Sequence, residues 1–273
     1  MKTLTQKHAH LEDMLREMDS LLVAFSGGVD STLLLRVAHG LLGGDVLAVT
    51  GVSATLPPGE RGRAASIAAA IGVDHLFVEA GEMSNPDFIA NPPERCYHCK
   101  KARFSEFLEI QSERKLALVV DGANADDAND WRPGMRAAAE LGVRSPLKEV
   151  GFTKAEIRRL AAELGLANWD APSSPCLATR IPYGQPITEE KLRQIGEAEQ
   201  FLASLDLGEL RVRHHGELAR IELGRVKMAD ALACATEIHE RFAQIGFRFV
   251  ALDLRAFKSG NMNIGLEEDS PNR

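Results

Sequence analysis

The segment that most restricts how this chain can fold is SGGVDS, residues 26–31. It directly follows LLVAF, residues 21–25, an apolar run typical of a strand buried on both faces of a parallel sheet. From about Ser31, leucines and valines recur at helical spacing, which predicts a helix. A glycine-rich turn between a buried strand and a helix presents free backbone N–H groups at the positive helix end. That arrangement suits a phosphate group.

The first half of the chain continues to alternate between apolar runs and amphipathic stretches. Further strands are predicted at 46–52, 75–80 and 117–122, and further helices at 60–71, 100–114 and 153–164. Strands that alternate with helices imply βαβ units with parallel strands and right-handed crossovers. The sequence therefore predicts an α/β domain with a parallel sheet over residues 1–170.

The pattern changes after residues 168–187, a segment with four prolines that we interpret as an ordered connection. Beyond it the sequence predicts a helix at 188–205, two strands within 209–223, a helix at 227–243 and a strand at 247–254. These elements describe a smaller α+β domain over residues 171–265. A flexible tail is expected at 266–273.

The composition is typical of a soluble globular protein, with 45% apolar and 26% charged residues. No apolar run is long enough to cross a bilayer, and the N-terminal residues lack the apolar core of a secretory signal. We therefore expect a cytoplasmic protein with no membrane partner. The net charge of −7 argues against an extended nucleic-acid-binding face, so no nucleic-acid partner is expected. A local basic pocket for a small phosphorylated ligand remains compatible with this charge.

Each residue type in the SGGVDS loop has a use in binding phosphate. Gly27 and Gly28 let the backbone turn sharply and approach a ligand, and the Ser26 and Ser31 hydroxyls can donate hydrogen bonds. Asp30 can help to hold a metal ion carried by the phosphates. The loop matches neither the Walker nor the dinucleotide-binding consensus. A glycine turn that merely ends a strand is the alternative.

A second polar segment, DGANADD, residues 121–127, lies at the end of the fourth predicted strand. The carboxyl ends of parallel strands form the edge where ligands bind in such folds. Asp121, Asn124, Asp126 and Asp127 are therefore candidates for the same site as the glycine loop. For Asp126 and Asp127 a solvated helix start is the alternative.

SGGVDS after an apolar strand resembles the PP-loop of the ATP pyrophosphatase superfamily, and DGANADD resembles a second element of that group. Members of the superfamily adenylate a substrate and release pyrophosphate. The resemblance implies a PP-loop fold for the first domain and the use of ATP with Mg2+.

Four segments narrow the resemblance: ERCYHCK (94–100), DGANADDANDWRPGMRAA (121–138), SPCLATRIPYG (174–184) and RVRHHGELARIE (211–222). Together they resemble the LarE family, ATP-dependent sulfur transferases of nickel-pincer nucleotide cofactor synthesis. In that family ATP adenylates a carboxylate of pyridinium-3,5-biscarboxylic acid mononucleotide, and sulfur then replaces the activated oxygen to give a thiocarboxylate. The resemblance implies this activity and a homo-oligomer, for which a hexamer is one candidate.

The source of the sulfur depends on Cys96, Cys99 and Cys176. In relatives that have only the equivalent of Cys176, the resemblance implies that this cysteine gives up its own sulfur and becomes dehydroalanine. In the three-cysteine members the thiolates hold a [4Fe-4S] cluster, whose fourth iron can carry an exchangeable sulfide. Ligation by a C-x2-C pair and a distant cysteine is chemically reasonable for such a cluster.

Other interpretations of the cysteines stay open. His98 and either His214 or His215 could complete a zinc site with the C-x2-C pair, or the pair could be uncoordinated. Cys234 falls in an alanine-rich stretch and is expected to be a small core residue.

Arginines are the main candidates for binding substrate. Arg211 and Arg213 alternate on a predicted strand and should share a face, which suits a phosphate or carboxylate. The resemblance implies that they bind the phosphate of the nucleotide substrate, and a solvated strand face is the alternative. Arg180, four residues after Cys176, is a third substrate-binding candidate, and we hypothesise that its charge favours the Cys176 thiolate.

Two acidic residues join Cys176 as catalytic candidates. Glu199 lies on the apolar stripe of its predicted helix, where a carboxylate is costly unless it is paired or lines a site. The resemblance also places a functional glutamate at Glu199 and a functional aspartate at Asp230. For Asp230, capping of a helix is the alternative. Trp131, Arg132 and Arg136 follow the acidic motif. They could contact substrate or adenylate, or they could simply be exposed.

Two other functions use some of the same features. A tRNA thiolase shares the loop and the cluster chemistry, but it needs an extended basic face that the net charge disfavours. A nucleotide-sensing or zinc-binding module would bind ATP without consuming it. Pyrophosphate release that depends on the carboxylated substrate separates an enzyme from such a module.

Overall fold

The computed structural model describes residues 2–129 and 133–258. The chain divides into two compact units. The larger unit comprises Met1–Ser53, Gly59–Phe88 and Pro93–Ser174. The smaller unit comprises Ala54–Pro58, Ile89–Pro92 and Pro175–Arg273.

The larger unit is built on a parallel sheet. Its strands are β1 (Leu21–Ala24), β2 (Val46–Val52), β3 (Asp74–Glu79) and β4 (Leu118–Asp121), in the spatial order β3-β2-β1-β4. All three neighbouring pairs are parallel. The predicted α/β class with a parallel sheet is thus confirmed.

Both faces of this sheet are buried, which explains why β1 is wholly apolar. Leu21 and Val23 pack in one core cluster, and Leu22 packs in a second cluster on the opposite face. The helices up to residue 163 are α1 (Leu4–Arg16), α2 (Val29–Leu42), α3 (Glu60–Ile71), α4 (Pro86–Ile89), α5 (Arg95–Glu113), α6 (Pro133–Glu140), α7 (Pro146–Val150) and α8 (Lys154–Glu163). The sequence did not predict α1, α4, α6 or α7, and α5 begins earlier than predicted.

The smaller unit has a mixed sheet of β5 (Leu210–His215), β6 (Leu218–Leu223) and β7 (Phe249–Leu252). β5 and β6 form an antiparallel hairpin, and β6 pairs in parallel with β7. The helices α9 (Glu189–Ser204), α10 (Met228–Ala233) and α11 (Ala235–Ile245) complete it, so the predicted α+β class is confirmed. The predicted helix at 227–243 is two helices that meet at Cys234, which packs against the core of this unit.

None of the described helices combines the length and the apolar character that crossing a membrane requires.

Candidate functional site

The glycine loop of the larger unit forms a closed turn between β1 and α2. Gly27 has a φ of 73°, and a Cβ atom there would lie 3.2 Å from Cα of Ala64. The positive φ and this tight contact both favour glycine at this position. The hydroxyl oxygens of Ser26 and Ser31 lie 3.1 Å apart, and Ser31 Oγ donates to the carbonyl oxygen of Gly28 at 3.1 Å. The serines therefore fix the loop at the N-terminus of α2, where backbone N–H groups favour an anion.

The end of β4 lies directly beside this turn. Asp121 is the register partner of Ala24, the last residue of β1. A Cβ atom on the next residue, Gly122, would lie only 2.8 Å from the backbone nitrogen of Ser31. Gly122 thus permits the close approach of two backbones, a role that the sequence analysis missed. A glycine directly after a strand that ends in aspartate was the available signal.

Asp121 is buried and is oriented by neighbouring polar groups. Its Oδ1 accepts hydrogen bonds from Ser145 Oγ at 2.7 Å and from the Ala123 backbone at 3.1 Å. Its Oδ2 lies 3.4 Å from Lys100 Nζ. Asp121 therefore links the acidic segment to α5 and to the loop before α7.

The acidic segment after β4 folds into a tight turn. The Asn124 backbone donates to Asp127 Oδ2 at 3.0 Å, and Asn124 Oδ1 accepts from the Asp126 backbone at 2.9 Å. Asp126 Oδ2 also accepts from the backbone nitrogen of Lys154 at 2.8 Å. These carboxylates are thus part of an ordered turn. The alternative of a solvated helix start does not describe Asp127, which is buried.

Asp30 lies in the first turn of α2, and its side chain forms an ion pair. Its Oδ2 is 2.6 Å from Lys154 Nζ, while its buried Oδ1 has no hydrogen-bond partner within the described ranges. Burial raises the pKa of Asp30, the Lys154 contacts oppose this shift, and the charge of Asp127 adds to it. An inward oxygen without a partner, beside a second carboxylate, is suited to a hard divalent cation.

Asn168, near the C-terminal end of the larger unit in sequence, contacts the glycine loop directly. Its side-chain nitrogen donates to the Gly27 carbonyl at 2.9 Å and to Thr32 Oγ1 at 3.0 Å. Asn168 is buried. No local pattern marks Asn168 as a site residue, because it is 141 positions from the loop that it contacts.

The residues at this edge of the sheet include the donor and acceptor types that phosphate groups and a divalent cation bind. The loop offers N–H and hydroxyl donors at a helix N-terminus, and Asp30, Asp126 and Asp127 offer carboxylate oxygens. The predicted candidates from Ser26 to Ser31 and from Asp121 to Asp127 therefore lie at one edge of one sheet.

Cys96 and Cys99 lie in the first two turns of α5, three residues apart and so on one side of the helix. Cys96 is exposed, Cys99 is half-buried, and neither forms a disulfide. Two thiolates at the positive end of a helix are electrostatically compatible with a cluster. In the part of the chain that the structure describes, no group of three or more His, Cys, Asp or Glu side chains has a metal-binding arrangement.

Arg136 also lies beside the C-x2-C segment. Its guanidinium stacks 4.1 Å from the ring centre of Tyr97, and the Tyr97 hydroxyl donates to Glu140 Oε2 at 2.6 Å. The side chain of Arg136 is exposed, and its Nε lies 3.6 Å from Glu140 Oε1. The other two candidates of this stretch, Trp131 and Arg132, lie outside the described residues.

Cys176 lies in the smaller unit, half-buried at the start of a 3-10 turn over Leu177–Arg180. Its carbonyl oxygen accepts hydrogen bonds from the Thr179 backbone at 3.1 Å, from Thr179 Oγ1 at 2.8 Å and from Arg180 Nη1 at 3.0 Å. The backbone around the thiol is therefore firmly held. The contact of Arg180 with Cys176 is to this carbonyl oxygen.

Arg180 and Glu199 form a buried two-point ion pair. Arg180 Nε and Nη2 donate to Glu199 Oε1 and Oε2, both at 3.0 Å, and Arg180 Nη1 also donates to the Pro175 carbonyl at 2.7 Å. Glu199 Oε1 accepts a further bond from the Val212 backbone at 2.9 Å. The inward position expected for Glu199 is correct. Its carboxylate joins α9, the edge strand β5 and the Cys176 loop.

Arg211 and Arg213 share one face of the hairpin, as their alternation predicted. Their register partners on β6 are Glu222 and Arg220 respectively. Arg213 is buried, donating to Glu222 Oε2 at 2.7 Å and to the Thr179 carbonyl at 3.1 Å. Burial lowers the pKa of Arg211, and the charge of Arg180 lowers it further. These guanidiniums are paired with carboxylates, Arg213 with Glu222 at 2.7 Å and Arg211 with Glu209 at 3.5 Å. Guanidinium donors on one face are suited to an anionic group.

The remaining polar candidates of the smaller unit are Asp230 and His214. Asp230 is exposed in the first turn of α10 and pairs with Lys227 at 3.2 Å. The capping alternative for Asp230 is wrong, because Lys227 occupies the cap position and no side chain caps this helix. His214 is buried against Phe247 and bonds to Gln194 Oε1 at 2.9 Å.

Comparison with known proteins identifies relatives over nearly the whole chain. No protein-family model matches the sequence. It is 43% identical over 266 residues to an uncharacterized protein of Synechocystis sp., covering 95% of this chain and 98% of that protein. It is 39% identical over 264 residues to the pyridinium-3,5-bisthiocarboxylic acid mononucleotide synthase of Lactiplantibacillus plantarum, covering 96% of each. A GMP synthase of Aeropyrum pernix is 29% identical over 66% of this chain and 39% of its own length.

Proposed function

Because the chain belongs to the LarE family of pyridinium-3,5-bisthiocarboxylic acid mononucleotide synthases, we propose that it is an ATP-dependent enzyme that converts a carboxylate of pyridinium-3,5-biscarboxylic acid mononucleotide into a thiocarboxylate. The family resemblance drawn from the four sequence segments is confirmed by the comparison. The PP-loop class of the larger unit agrees with the similarity to GMP synthase.

The observation that carries the proposal is the geometry at the N-terminus of α2. The turn at Gly27, the close approach of Gly122 and the unpaired Oδ1 of Asp30 all lie at the carboxyl edge of the parallel sheet. In the proposal Ser26, Gly27, Gly28 and Ser31 bind the triphosphate. Asp30, Asp126 and Asp127 would contribute carboxylate oxygens to an Mg2+ ion carried by the triphosphate, while Asp121 and Asn124 would keep the acidic turn in place.

Adenylation overcomes the low reactivity of a carboxylate. A carboxylate oxygen of the substrate bonds to the α-phosphorus of ATP, and the bond from that phosphorus to the bridging oxygen breaks, which releases pyrophosphate. Sulfide then bonds to the activated carbon, and AMP leaves with the former carboxylate oxygen. Mg2+, when bound, supplies positive charge that offsets the charge of the departing phosphates.

The source of the sulfur that reaches the activated carboxylate depends on three cysteines. Cys96, Cys99 and Cys176 would hold the [4Fe-4S] cluster, and that cluster would supply an exchangeable sulfide at its fourth iron. The placement of Cys96 and Cys99 on one side of a helix N-terminus supports this assignment. Donation of the Cys176 sulfur itself is the alternative route, and it leaves dehydroalanine.

The smaller unit is proposed to bind the substrate. Arg211 and Arg213 would bind its phosphate, because guanidiniums on one strand face match a phosphate dianion. Arg180 and Glu199 would act by holding the Cys176 loop in place, and Asp230 remains a catalytic candidate by family resemblance. A cytoplasmic homo-oligomer, with a hexamer as one candidate, is part of the same proposal.

Anaerobic reconstitution with iron and sulfide tests the proposal. The full chain should develop the visible absorption of a [4Fe-4S] cluster. It should release pyrophosphate when ATP and the dicarboxylate mononucleotide are both present, and mass spectrometry should find oxygen replaced by sulfur in the product. Alanine at Cys96, Cys99 or Cys176 should abolish the cluster.

The same experiment identifies each competing function. Conversion of Cys176 to dehydroalanine without a cluster would establish the sacrificial route. Activity on tRNA in place of the mononucleotide would identify a tRNA thiolase. ATP binding without pyrophosphate release would identify a binding module.

A further inference from the structure

The turn that follows the Cys176 loop is held by Asn91, a fully buried residue from a distant part of the sequence. The side-chain nitrogen of Asn91 donates to three carbonyl oxygens of this turn: those of Ile181 at 3.3 Å, Pro182 at 2.8 Å and Gln185 at 3.0 Å. A side-chain amide carries two N–H donors, which these three oxygens share. One side chain therefore satisfies the inward carbonyl groups of the whole turn.

The backbone of Asn91 is also part of this arrangement. Its φ is 56°, in the left-handed region that a residue other than glycine adopts at a cost in free energy. Its carbonyl oxygen accepts a hydrogen bond from the Gly184 backbone at 3.0 Å, and the Ile89 carbonyl accepts one from Ile187 at 2.9 Å. The segment Ile89–Pro92 belongs to the same compact unit as Cys176. Asn91 thus keeps an unfavourable backbone conformation at a position where its side chain is used completely.

The turn that Asn91 holds is continuous with the loop of Cys176. The 3-10 turn Leu177–Arg180 begins directly after Cys176, and Ile181 caps its C-terminal end. Arg180 fixes the start of this turn through its bonds to the carbonyl oxygens of Pro175 and Cys176. Asn91 fixes its end, so the short segment that begins with the thiol is anchored on both sides.

We propose that Asn91 is a positioning residue for Cys176, and that it keeps the Cys176 sulfur in one place for sulfur transfer. This inference rests on the proposed function, since it assumes that Cys176 either holds the cluster or donates its own sulfur. In both routes the position of Cys176 decides where the transferred sulfur lies relative to the activated carboxylate. Reacting atoms must be closely aligned, so a small displacement of this loop lowers the rate of transfer.

Glycine in place of Asn91 tests the inference, because it keeps the left-handed backbone and removes only the side chain. Wild type and Asn91→Gly, each reduced and free of metal, would be treated with iodoacetamide, and mass spectrometry would give the alkylation rate of each cysteine. Alkylation of Cys176 should become about three- to tenfold faster in the variant, because the loop opens more often without these hydrogen bonds. Cys234 packs half-buried in the same unit and is the internal reference, whose rate should change less than about twofold.

A second variant, Gly184→Ala, disturbs the same turn without changing a buried side chain. Gly184 is exposed and has a φ of 76°, and a Cβ atom there would meet nothing within 4 Å. Alanine therefore strains the backbone that donates to Asn91, and it should also speed alkylation of Cys176, by a smaller factor. Asp206→Gly is the matched control, because Asp206 has a φ of 53° in the exposed turn after α9. Both cysteines should react in this control as in wild type.

Product analysis separates a role in sulfur transfer from a role in folding. With ATP and the dicarboxylate mononucleotide, Asn91→Gly should form about tenfold less thiocarboxylate for each pyrophosphate released, because water hydrolyses the activated carboxylate that sulfur does not reach. A folding defect would lower both products together.

Three results would overturn the inference while the proposed function would stand. They are unchanged alkylation of Cys176 in Asn91→Gly, equal acceleration at Cys176 and Cys234, and an unchanged ratio of thiocarboxylate to pyrophosphate. Wild-type protein that forms no thiocarboxylate would instead overturn the proposed function. The alkylation rates would still decide whether Asn91 positions Cys176, since they require neither ATP nor a cluster.

Discussion

Arg180 and Glu199 meet through two parallel hydrogen bonds of 3.0 Å each, one from Nε and one from Nη2. The side chain of Arg180 is only 3% exposed. The same guanidinium donates to the carbonyl oxygen of Cys176 at 3.0 Å. Arg180 therefore links Glu199 to the backbone of Cys176, and we predict that Glu199 is a positioning residue.

Replacing Glu199 with alanine should destabilise the smaller unit strongly. The change leaves the guanidinium of Arg180 buried without its carboxylate and removes the acceptor for the Val212 backbone. Breaking one half of a buried ion pair costs about 3–5 kcal/mol. Urea unfolding followed by circular dichroism would measure the loss.

Glu197→Ala is the matched control, because Glu197 lies on the same helix in exposed pairs with Arg193 and Arg241. Its effect should stay within about 1 kcal/mol. Wild-type stability in Glu199→Ala, together with loss of activity, would instead support a direct catalytic role for Glu199.

Replacing Asn168 with alanine should weaken ATP binding. The two bonds from its side chain hold the Gly27 carbonyl and Thr32 at the start of α2. Each such bond contributes about 1 kcal/mol, so the loop should lose order and the Kd for an ATP analogue should rise about tenfold. Fluorescence titration with a labelled ATP analogue would measure it.

Asn85→Ala serves as the control for Asn168, because Asn85 bonds only within its own exposed loop in the contacts of the described residues. The Asn85 variant should bind the analogue like wild type. An Asn168 variant that also binds like wild type would show that the loop keeps its shape without this support.

The sequence predicted the parts of the site that are local and missed those that are distant in the chain. Gly27 and Asp30 belong to one short segment whose glycines and flanking periodicity already indicate a phosphate loop. Lys154 and Asn168 contact that segment across 124 and 141 positions. Such contacts depend on how helices pack around the sheet, and neither residue carries a local pattern that reveals it.

The early start of α5 was missed for a related reason. Arg95 is buried in the first turn of α5, although arginine is seldom buried and neither apolar periodicity nor a capping residue marks this end. The apolar residues that indicate this helix in the sequence are Phe104 and Phe107. Both lie in its second half, where they pack in a core cluster. The apolar strands, by contrast, were placed well because burial on both faces leaves a continuous apolar run.

Replacing Gly122 with alanine should displace the glycine loop. The added Cβ would lie 2.8 Å from the Ser31 nitrogen and 3.0 Å from the Ser31 Cα. Relieving this clash requires a shift of the backbone, which costs more free energy than moving a flexible side chain. We expect a loss of stability of about 1–3 kcal/mol and a larger Kd for the ATP analogue. Gly44→Ala is the control, since a Cβ there meets nothing within 4 Å. Equal stability and affinity in the two variants would contradict the close approach of β4 to α2.

The stability of the smaller unit should fall as the pH drops from about 6.5 towards 4. Burial lowers the pKa of His214 to about 4, and the nearby charge of Lys191 acts in the same direction. The unfolded chain has the ordinary histidine pKa of about 6.5, so below that pH it binds a proton that the folded state refuses. Protonation therefore favours unfolding throughout this interval, and the contribution of neutral His214 is fully present only above pH 6.5.

Melting temperatures measured from pH 8 to pH 4 would test this expectation. His214→Asn removes the titrating ring and can still donate to Gln194, so its stability should depend less steeply on pH between 6.5 and 4 than that of wild type. His239→Asn, at an exposed position on α11, should keep the wild-type slope. The same steep decline in the His214 variant would assign the pH dependence to carboxylates, which lose their ion pairs as they are protonated.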